Sequence, residues 1–167
     1  MRHIDQITHD VIGLSMRIHS ALGPGLFESV YETVLAGKLS EAGYRVDRQL
    51  PIDIEFEGSY FTNAFKIDLL VDQQLIVEIK SVEQISRLHA KQLLTYLRLK
   101  KLTVGLIINF GGVSLKDGIR RVVNNHLDSA HFAVSARNDL VHAETADCAE
   151  HLFSAPLQNW EDLIAVA

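Results

Sequence analysis

The sequence predicts an α/β domain in which helices flank a four-stranded mixed sheet, made of a three-strand antiparallel meander and one parallel strand. Three observations lead to this prediction: an amphipathic helical stripe near the N-terminus, a change to two-residue periodicity at residue 46, and a continuous apolar run at 103–110 that follows a helical segment. The 167 residues suit one domain, because a chain of this length buries roughly two thirds of its unfolded surface in a single core.

Two helices are predicted to open the chain. Apolar residues recur at three- and four-residue steps from 4 to 22, and "GPG" at 23–25 ends the pattern. A second helix is expected from about 26 to 42, with Gly43 as its terminator and Glu28 in its first turn. The predicted buried residues are Ile4, Ile7, Val11, Leu14, Ile18 and Leu22 in the first helix and Phe27, Val30, Tyr31, Val34, Leu35 and Leu39 in the second.

An antiparallel meander is predicted next. From Val46 onward apolar and polar residues alternate, as in a strand with one solvent-exposed face. Pro51 indicates an edge position, because proline lacks the N–H that an inner strand donates. The turn "EGS" at 57–59 ends this strand. The turn "DQQ" at 72–74 then separates a second strand, at about 60–71, from a third, "LIVEIKSV" at 75–82.

A helix and a buried strand complete the predicted core. Residues 84–100 carry apolar residues at helical spacing without a breaker. Residues 103–110, "TVGLIINF", are apolar without alternation, as in a strand that is buried on both faces. A helix that joins two strands of one sheet implies a crossover, which leaves those strands parallel.

Charge is unevenly distributed along the chain. The net charge of −5 taken alone argues against a nucleic-acid partner, but residues 84–121 hold eight Lys and Arg against one acid, and residues 138–167 hold six acids and no Lys or Arg. The N-terminal stretch lacks the unbroken apolar run of a signal peptide or membrane span, and the single cysteine, Cys148, cannot form an intramolecular disulfide. We therefore expect a cytoplasmic protein that does not engage a membrane.

Three charged residues on two apolar strands indicate a site for chemistry. Glu78 and Lys80 point to one face of their strand because side chains alternate, and a meander pairing through the turn at 72–74 would bring Asp68 close to Glu78. Two adjacent carboxylates repel unless a cation or a shared proton lies between them, and magnesium prefers such oxygen ligands. Lys80 would then hold or activate an attacking water and stabilise negative charge on a phosphate.

Plainer interpretations exist for each of these residues. Asp68, Glu78 and Lys80 could form a structural ion pair across strands, and Glu28 could only favour the positive end of its helix dipole. A tyrosine on a helix is usually a core residue, a glutamine a solvated one, and a basic run an exposed face. The apolar setting of the three charged strand residues argues against a purely structural pair, since buried charges are costly without a purpose.

The pattern resembles a known group of enzymes. Asp68 followed by Glu78-Ile79-Lys80 resembles the D…ExK signature of the PD-(D/E)XK nuclease superfamily, although Ile67 stands where the superfamily name has proline. "GLFESVY" at 25–31 resembles the Gly-x-x-Glu-x-x-Tyr signature of the GxxExxY protein family, and the similarity extends over about residues 5–125. "QLLTY" at 92–96 resembles the Gln-x-x-x-Tyr element of RecB-type and lambda-exonuclease-type members.

The resemblance implies a restriction-endonuclease-like core at 1–125, followed by an acidic extension at 126–167 that is packed on the same domain or partly flexible. It also implies a nuclease that uses Mg²⁺ or Mn²⁺ on nucleic acid, with DNA favoured over RNA and neither excluded by the sequence. A homo-oligomer is compatible with the sequence. The rival is a non-catalytic nucleic-acid-binding or regulatory module that keeps the nuclease fold. The implied residues are Asp68, Glu78, the Ile79 carbonyl and Glu28 for the metal, Lys80, Gln92 and Tyr96 for catalysis, and Arg87, Lys91, Arg98, Lys100 and Lys101 for nucleic acid.

Overall fold

The computed structural model describes residues 2–124 and the backbone of Ile164–Ala165. Three α-helices, one short 3-10 helix and six strands follow one another along these residues. Their bounds are α1 Ile4–Leu22, α2 Glu28–Glu41, β1 Val46–Phe56, β2 Ser59–Val71, β3 Leu75–Lys80, α3 Arg87–Lys100, β4 Val104–Asn109, the 3-10 helix Lys116–Gly118, β5 Ile119–Val123 and β6 Ile164–Ala165.

The strands form one mixed sheet in the order β1-β2-β3-β4-β5-β6. β1, β2 and β3 pair antiparallel, and β3 pairs parallel with β4 across the α3 crossover, which confirms the predicted fold class and topology. The predicted strand count of four is too low, because β5 adds antiparallel to β4 and the two-residue β6 adds to β5. Two adjacent arginines, Arg120 and Arg121, interrupt the apolar pattern of β5 and hide it in the sequence.

Two apolar cores cover the two faces of the sheet. α1 and α2 pack on one face against residues such as Leu69, Val77 and Ile79, and we call this the α1/α2 side. α3 packs on the other face against residues such as Ile67 and Ile76, and we call this the α3 side. Opposite faces of one sheet are therefore buried under different helices, so alternate buried residues of a strand contact different cores.

The β1–β2 hairpin extends beyond the rest of the sheet. β1 lies at the edge, as Pro51 predicts, and β2 pairs with β3 only through Leu69–Val71. The free part of the hairpin leaves Phe56, Tyr60 and Phe61 exposed, so the buried face expected for all of β1 is restricted to its middle, around Ile52.

The predicted boundary between a core at 1–125 and an acidic extension at 126–167 lies outside the described residues. Of the predicted extension, the structure describes the backbone of Ile164–Ala165, in which Ile164 pairs with Val122 and Ala165 with Arg121. Within the described part of the chain, no helix combines the length and apolarity needed to cross a bilayer.

Candidate functional site

Glu78 and Lys80 share the α3 side of β3 because the alternate residues, Val77 and Ile79, pack on the α1/α2 side. The Lys80 Nζ donates to Glu78 Oε1 at 2.8 Å. Glu78 is only 3% exposed, and its second oxygen, Oε2, is buried with no hydrogen-bond partner among the described residues. Lys80 thus satisfies one of the two carboxylate oxygens of Glu78. The other oxygen lacks a hydrogen bond, which is costly for a buried carboxylate.

Asp68 lies at the point where β2 and β3 separate. Their pairing ends at Leu69↔Val77, and extending that register by one residue on each strand sets Asp68 opposite Glu78. Here the Ile79 N–H donates to the Asp68 Oδ2 at 2.9 Å instead of to a strand carbonyl. The carboxylate of Asp68 thereby takes the place of a ladder hydrogen bond at the mouth of the site.

The acidic groups perturb one another electrostatically. Burial and the nearby Asp68 carboxylate raise the pKa of Glu78 to about 7, against the opposing effect of Lys80. Burial also raises the pKa of Asp68, although the Ile79 N–H and Lys80 oppose this. Burial lowers the pKa of Lys80, but its hydrogen bond to Glu78 and the surrounding carboxylates outweigh that effect and raise it overall. The sequence expectation that Asp68 and Glu78 repel one another agrees with these directions.

Glu28 reaches the same end of β3 from the α1/α2 side. As the first residue of α2 it accepts from the Ser81 N–H at 3.0 Å, and the Ser81 hydroxyl donates to the Leu26 carbonyl at 2.8 Å. Glu28 also raises the pKa of both Glu78 and Lys80, so it is electrostatically part of the same cluster. The two Ser81 hydrogen bonds fix the start of α2 to the exit of β3.

Tyr31 orders the loop that precedes Glu28. Its hydroxyl donates to the Gly23 carbonyl at 2.6 Å and accepts from the Leu26 N–H at 3.2 Å. The ring stacks on Phe110 with the centroids 4.3 Å apart. Gly25 lies in this loop with φ of +102°, a conformation that side chains rarely adopt. The glycine and the tyrosine around Glu28 therefore have one structural task, which is to hold the loop that presents the glutamate.

We predict that Tyr31→Phe lowers the free energy of unfolding by about 1 to 2 kcal/mol, because the Gly23 carbonyl and the Leu26 N–H lose their partner while the ring keeps its packing. Urea unfolding measures the change. Tyr60→Phe is the matched control, since Tyr60 is exposed and its hydroxyl donates to Asp53 on the surface of the hairpin; its effect should be within about 0.5 kcal/mol. Equal effects of the two substitutions would contradict the assigned role of Tyr31.

Gln92 and Tyr96 form a pair on the buried side of α3. Gln92 Nε2 donates to the Tyr96 hydroxyl at 2.5 Å, and the tyrosine ring packs against Phe65. Tyr96 is 2% exposed, and its pKa is raised mainly by burial and further by the Glu78 carboxylate. The pair is thus close to the cluster, but the hydrogen bonds of residues 2–124 do not include one from either side chain to Lys80.

The basic residues of α3 fall into two groups. Arg87, Lys91 and Arg98 have spacings of four and seven residues, which place them on one exposed face of the helix. Lys100 and Lys101 lie at the C-terminal end of α3, about 20 Å along the helix axis from Arg87. The N-terminal end of α3 follows β3 closely, so Arg87 and Lys91 are the basic residues nearer to Lys80 in the fold.

The arrangement fits a hard divalent cation. The unpartnered Glu78 Oε2 and the adjacent Asp68 carboxylate supply oxygen ligands of the kind that Mg²⁺ prefers. Among residues 2–124, no three Asp, Glu, His or Cys side chains converge closely enough to bind one ion by themselves. An ion between Asp68 and Glu78 would therefore take its remaining ligands from a backbone carbonyl and water, as Mg²⁺ commonly does.

Several residues at the site were not predicted from the sequence. Asn109 at the end of β4 binds both backbone groups of Val82, accepting from its N–H at 2.9 Å and donating to its carbonyl at 2.8 Å. Asn109 could have been predicted from the sequence, because it is a polar residue at the end of an apolar run typical of a buried strand. His89 in the first turn of α3 is close enough for Lys80 to lower its pKa, second to burial. Gln49, which donates to Asp68 and to a second carboxylate on α2, carries no signal in the sequence.

A family model described as the PD-(D/E)XK nuclease superfamily matches residues 5–122, which is more than two thirds of the chain and contains every residue of the candidate site. No curated protein and no solved structure matches the chain.

Proposed function

The chain belongs to the PD-(D/E)XK nuclease superfamily, and on this premise we propose that it is a metal-dependent nuclease that hydrolyses nucleic-acid phosphodiester bonds. The observation that carries the proposal is the buried, half-satisfied Glu78 carboxylate beside Asp68 and Lys80. Two carboxylates alone repel a negatively charged phosphate. With a cation bound between them, the same pair can bind a phosphate through that cation.

The proposed ligands of Mg²⁺ or Mn²⁺ are Asp68, Glu78 and the Ile79 carbonyl, with Glu28 acting through water. The fixed contact of Glu28 with the Ser81 N–H supports an indirect role for that residue. The cation supplies Lewis acidity that polarises a phosphoryl oxygen and lowers the pKa of a nearby water. Asp68 and Glu78 would hold the cation in place, and the burial of Glu78 strengthens the electrostatic interactions of its carboxylate.

Lys80 is proposed to act as an ammonium ion. Its raised pKa supports a protonated side chain near neutral pH, in spite of burial. In that form it donates to the attacking water and stabilises the charge that develops on the phosphate, rather than removing a proton. Gln92 and Tyr96 are proposed to orient Lys80 or a substrate phosphate from α3, which their position beside the cluster supports.

Nucleic acid is the proposed partner, with DNA favoured over RNA. The exposed face of α3 is the surface that is proposed to contact it. Arg87 and Lys91 would contact phosphates near the site, and Arg98, Lys100 and Lys101 would contact phosphates about 15 to 20 Å from Arg87 along the helix axis. Placement of the chain in the GxxExxY group is a further part of the proposal, supported by the joint role of Gly25 and Tyr31 in presenting Glu28.

We predict that combining Lys91→Ala with Arg98→Ala weakens nucleic-acid binding and lowers its salt dependence. The log–log slope of affinity against salt should fall by roughly 0.7 to 0.9 for each phosphate that the protein no longer neutralises. Fluorescence anisotropy over a series of salt concentrations measures the slope. Lys38→Ala is the control, because this exposed α2 lysine is paired with Glu41 and lies on the other layer. An unchanged slope in the double variant would mean that the α3 face is only solvated.

The rival function is a non-catalytic binding module, and a cleavage assay separates the two. Labelled single-stranded and duplex DNA and RNA are incubated with the protein in Mg²⁺, in Mn²⁺ and in EDTA. We expect cleavage that requires the metal. Binding without cleavage across this panel would replace the nuclease proposal with the binding module.

A further inference from the structure

Gln49 lies at the centre of a polar chain that links α2 to the Asp68 carboxylate. Its Nε2 is 2.6 Å from Glu32 Oε2 and 3.2 Å from Asp68 Oδ1, so a single amide group donates towards both carboxylates. Asp68 Oδ2 is already held by the Ile79 N–H. Both oxygens of Asp68 are therefore restrained, one from β3 and the other from β1.

Glu32 is a fixed anchor for this chain. It is 5% exposed, and its other oxygen, Oε1, accepts from Arg48 Nε at 2.9 Å. Arg48 is fixed in turn by donating to the Thr33 hydroxyl at 2.8 Å. A buried carboxylate with both oxygens bound cannot rotate without losing a hydrogen bond, so Gln49 is held against a rigid partner.

The backbone at Gln49 is strained. Its φ is +49°, in the left-handed region that non-glycine residues rarely occupy inside a strand. Gln49 and Asp68 also lie opposite each other between the pairs Arg48↔Leu69 and Leu50↔Ile67. Such strain persists only where the surroundings determine the conformation, and it is concentrated at functional sites.

The strands change faces at this same position. On β2, Ile67 packs on the α3 side and Leu69 on the α1/α2 side, although residues two apart normally share a face. On β1, Val46 packs on the α1/α2 side, whereas Leu50 packs on the α3 side. The irregular pair Gln49–Asp68 therefore turns the Asp68 carboxylate out of the regular pattern and towards the backbone of β3.

We propose that Gln49 is a positioning residue for the metal site: its amide, anchored on Glu32, holds Asp68 Oδ1 so that the Asp68 and Glu78 carboxylates converge on one cation. This inference rests on the proposed metal-dependent function. An oxygen that accepts one hydrogen bond keeps a second lone pair for a metal, so the restraint orients Asp68 without consuming it. Groups that orient metal ligands typically change metal affinity by about 10- to 100-fold when they are removed.

The test compares two substitutions of Gln49 with one control. Gln49→Met keeps the length of the side chain and removes its donors, and Gln49→Gly relaxes the backbone as well. Asn63→Gly is the control, since Asn63 is another strand residue with positive φ (+53°) and lies in the exposed part of the β1–β2 hairpin. Mn²⁺ affinity is measured by calorimetric titration, and cleavage is measured as a function of Mn²⁺ concentration.

Both Gln49 variants should bind Mn²⁺ about 10- to 100-fold more weakly than wild type, whereas Asn63→Gly should not change the affinity. The Mn²⁺ concentration for half-maximal cleavage should rise to the same extent, and the rate at saturating Mn²⁺ should return towards that of wild type. If Gln49→Met binds Mn²⁺ as tightly as wild type, Gln49 only closes the strand irregularity and the inference is wrong. If wild type itself binds no Mn²⁺, the metal-dependent function fails, and the positioning role fails with it.

Discussion

Lys80→Ala is expected to remain folded and to respond to metal while its cleavage rate falls about 10²- to 10³-fold, which corresponds to roughly 2.7 to 4 kcal/mol of transition-state stabilisation. The ammonium group donates to Glu78 at the end of β3, where it can reach a phosphate. Asp68 is held independently by the Ile79 N–H, and in the variant a bound cation would compensate the charge of the Glu78 carboxylate. Without Lys80, the attacking water and the developing charge lose their cationic donor.

Cleavage of labelled DNA and RNA is followed in Mg²⁺ and in Mn²⁺, with binding measured in parallel. Lys80→Gln is a second variant, which keeps hydrogen-bond donors but removes the charge and should also be slow. Lys66→Ala is the matched control, because Lys66 is an exposed lysine of β2 and should retain the wild-type rate. Cleavage by Lys80→Ala as fast as by wild type would exclude the proposed mechanism.

Mg²⁺ or Mn²⁺ should stabilise the wild-type protein against unfolding, and Asp68→Asn should abolish that stabilisation. A ligand that binds only the folded state contributes RT ln(1 + [L]/Kd), which is about 2.7 kcal/mol at a hundredfold excess over Kd. Asp68→Asn removes a proposed ligand. It also removes the charge that, second only to burial, raises the pKa of Glu78. The metal-free variant should therefore be slightly more stable than metal-free wild type, because the repulsion between the two carboxylates is gone.

Thermal unfolding with and without metal measures both effects. Asp53→Asn is the control, because Asp53 binds Tyr60 and the Asn63 N–H in the hairpin, away from the site. It should change stability without changing the increment from metal. If Asp68→Asn keeps the wild-type increment, the metal is not bound between Asp68 and Glu78.

Local patterns in the sequence were sufficient for the main elements. The three- and four-residue steps from Ile4 to Leu22 predicted α1, and the alternation around Ile52 with Pro51 predicted an edge strand. The apolar run before Asn109 predicted a buried parallel strand. These predictions succeeded because each depends on the period of one segment, which is set by the geometry of a helix or a strand. β5 was missed because its arginines break that period.

The sequence by itself determined that Glu78 and Lys80 share a face of β3, since alternation along one strand requires it. Only the tertiary structure decided how Asp68 meets them. The face switch at Gln49 and Asp68, the left-handed backbone of Gln49 and its anchor on Glu32 join segments that are distant in sequence. The raised pKa of Glu78 is likewise decided by the tertiary structure, because it depends on burial under α3 and on a carboxylate from another strand. Sequence periodicity records which side of its own element a residue occupies, whereas hydrogen bonds and electrostatic fields between elements arise only when the chain has packed.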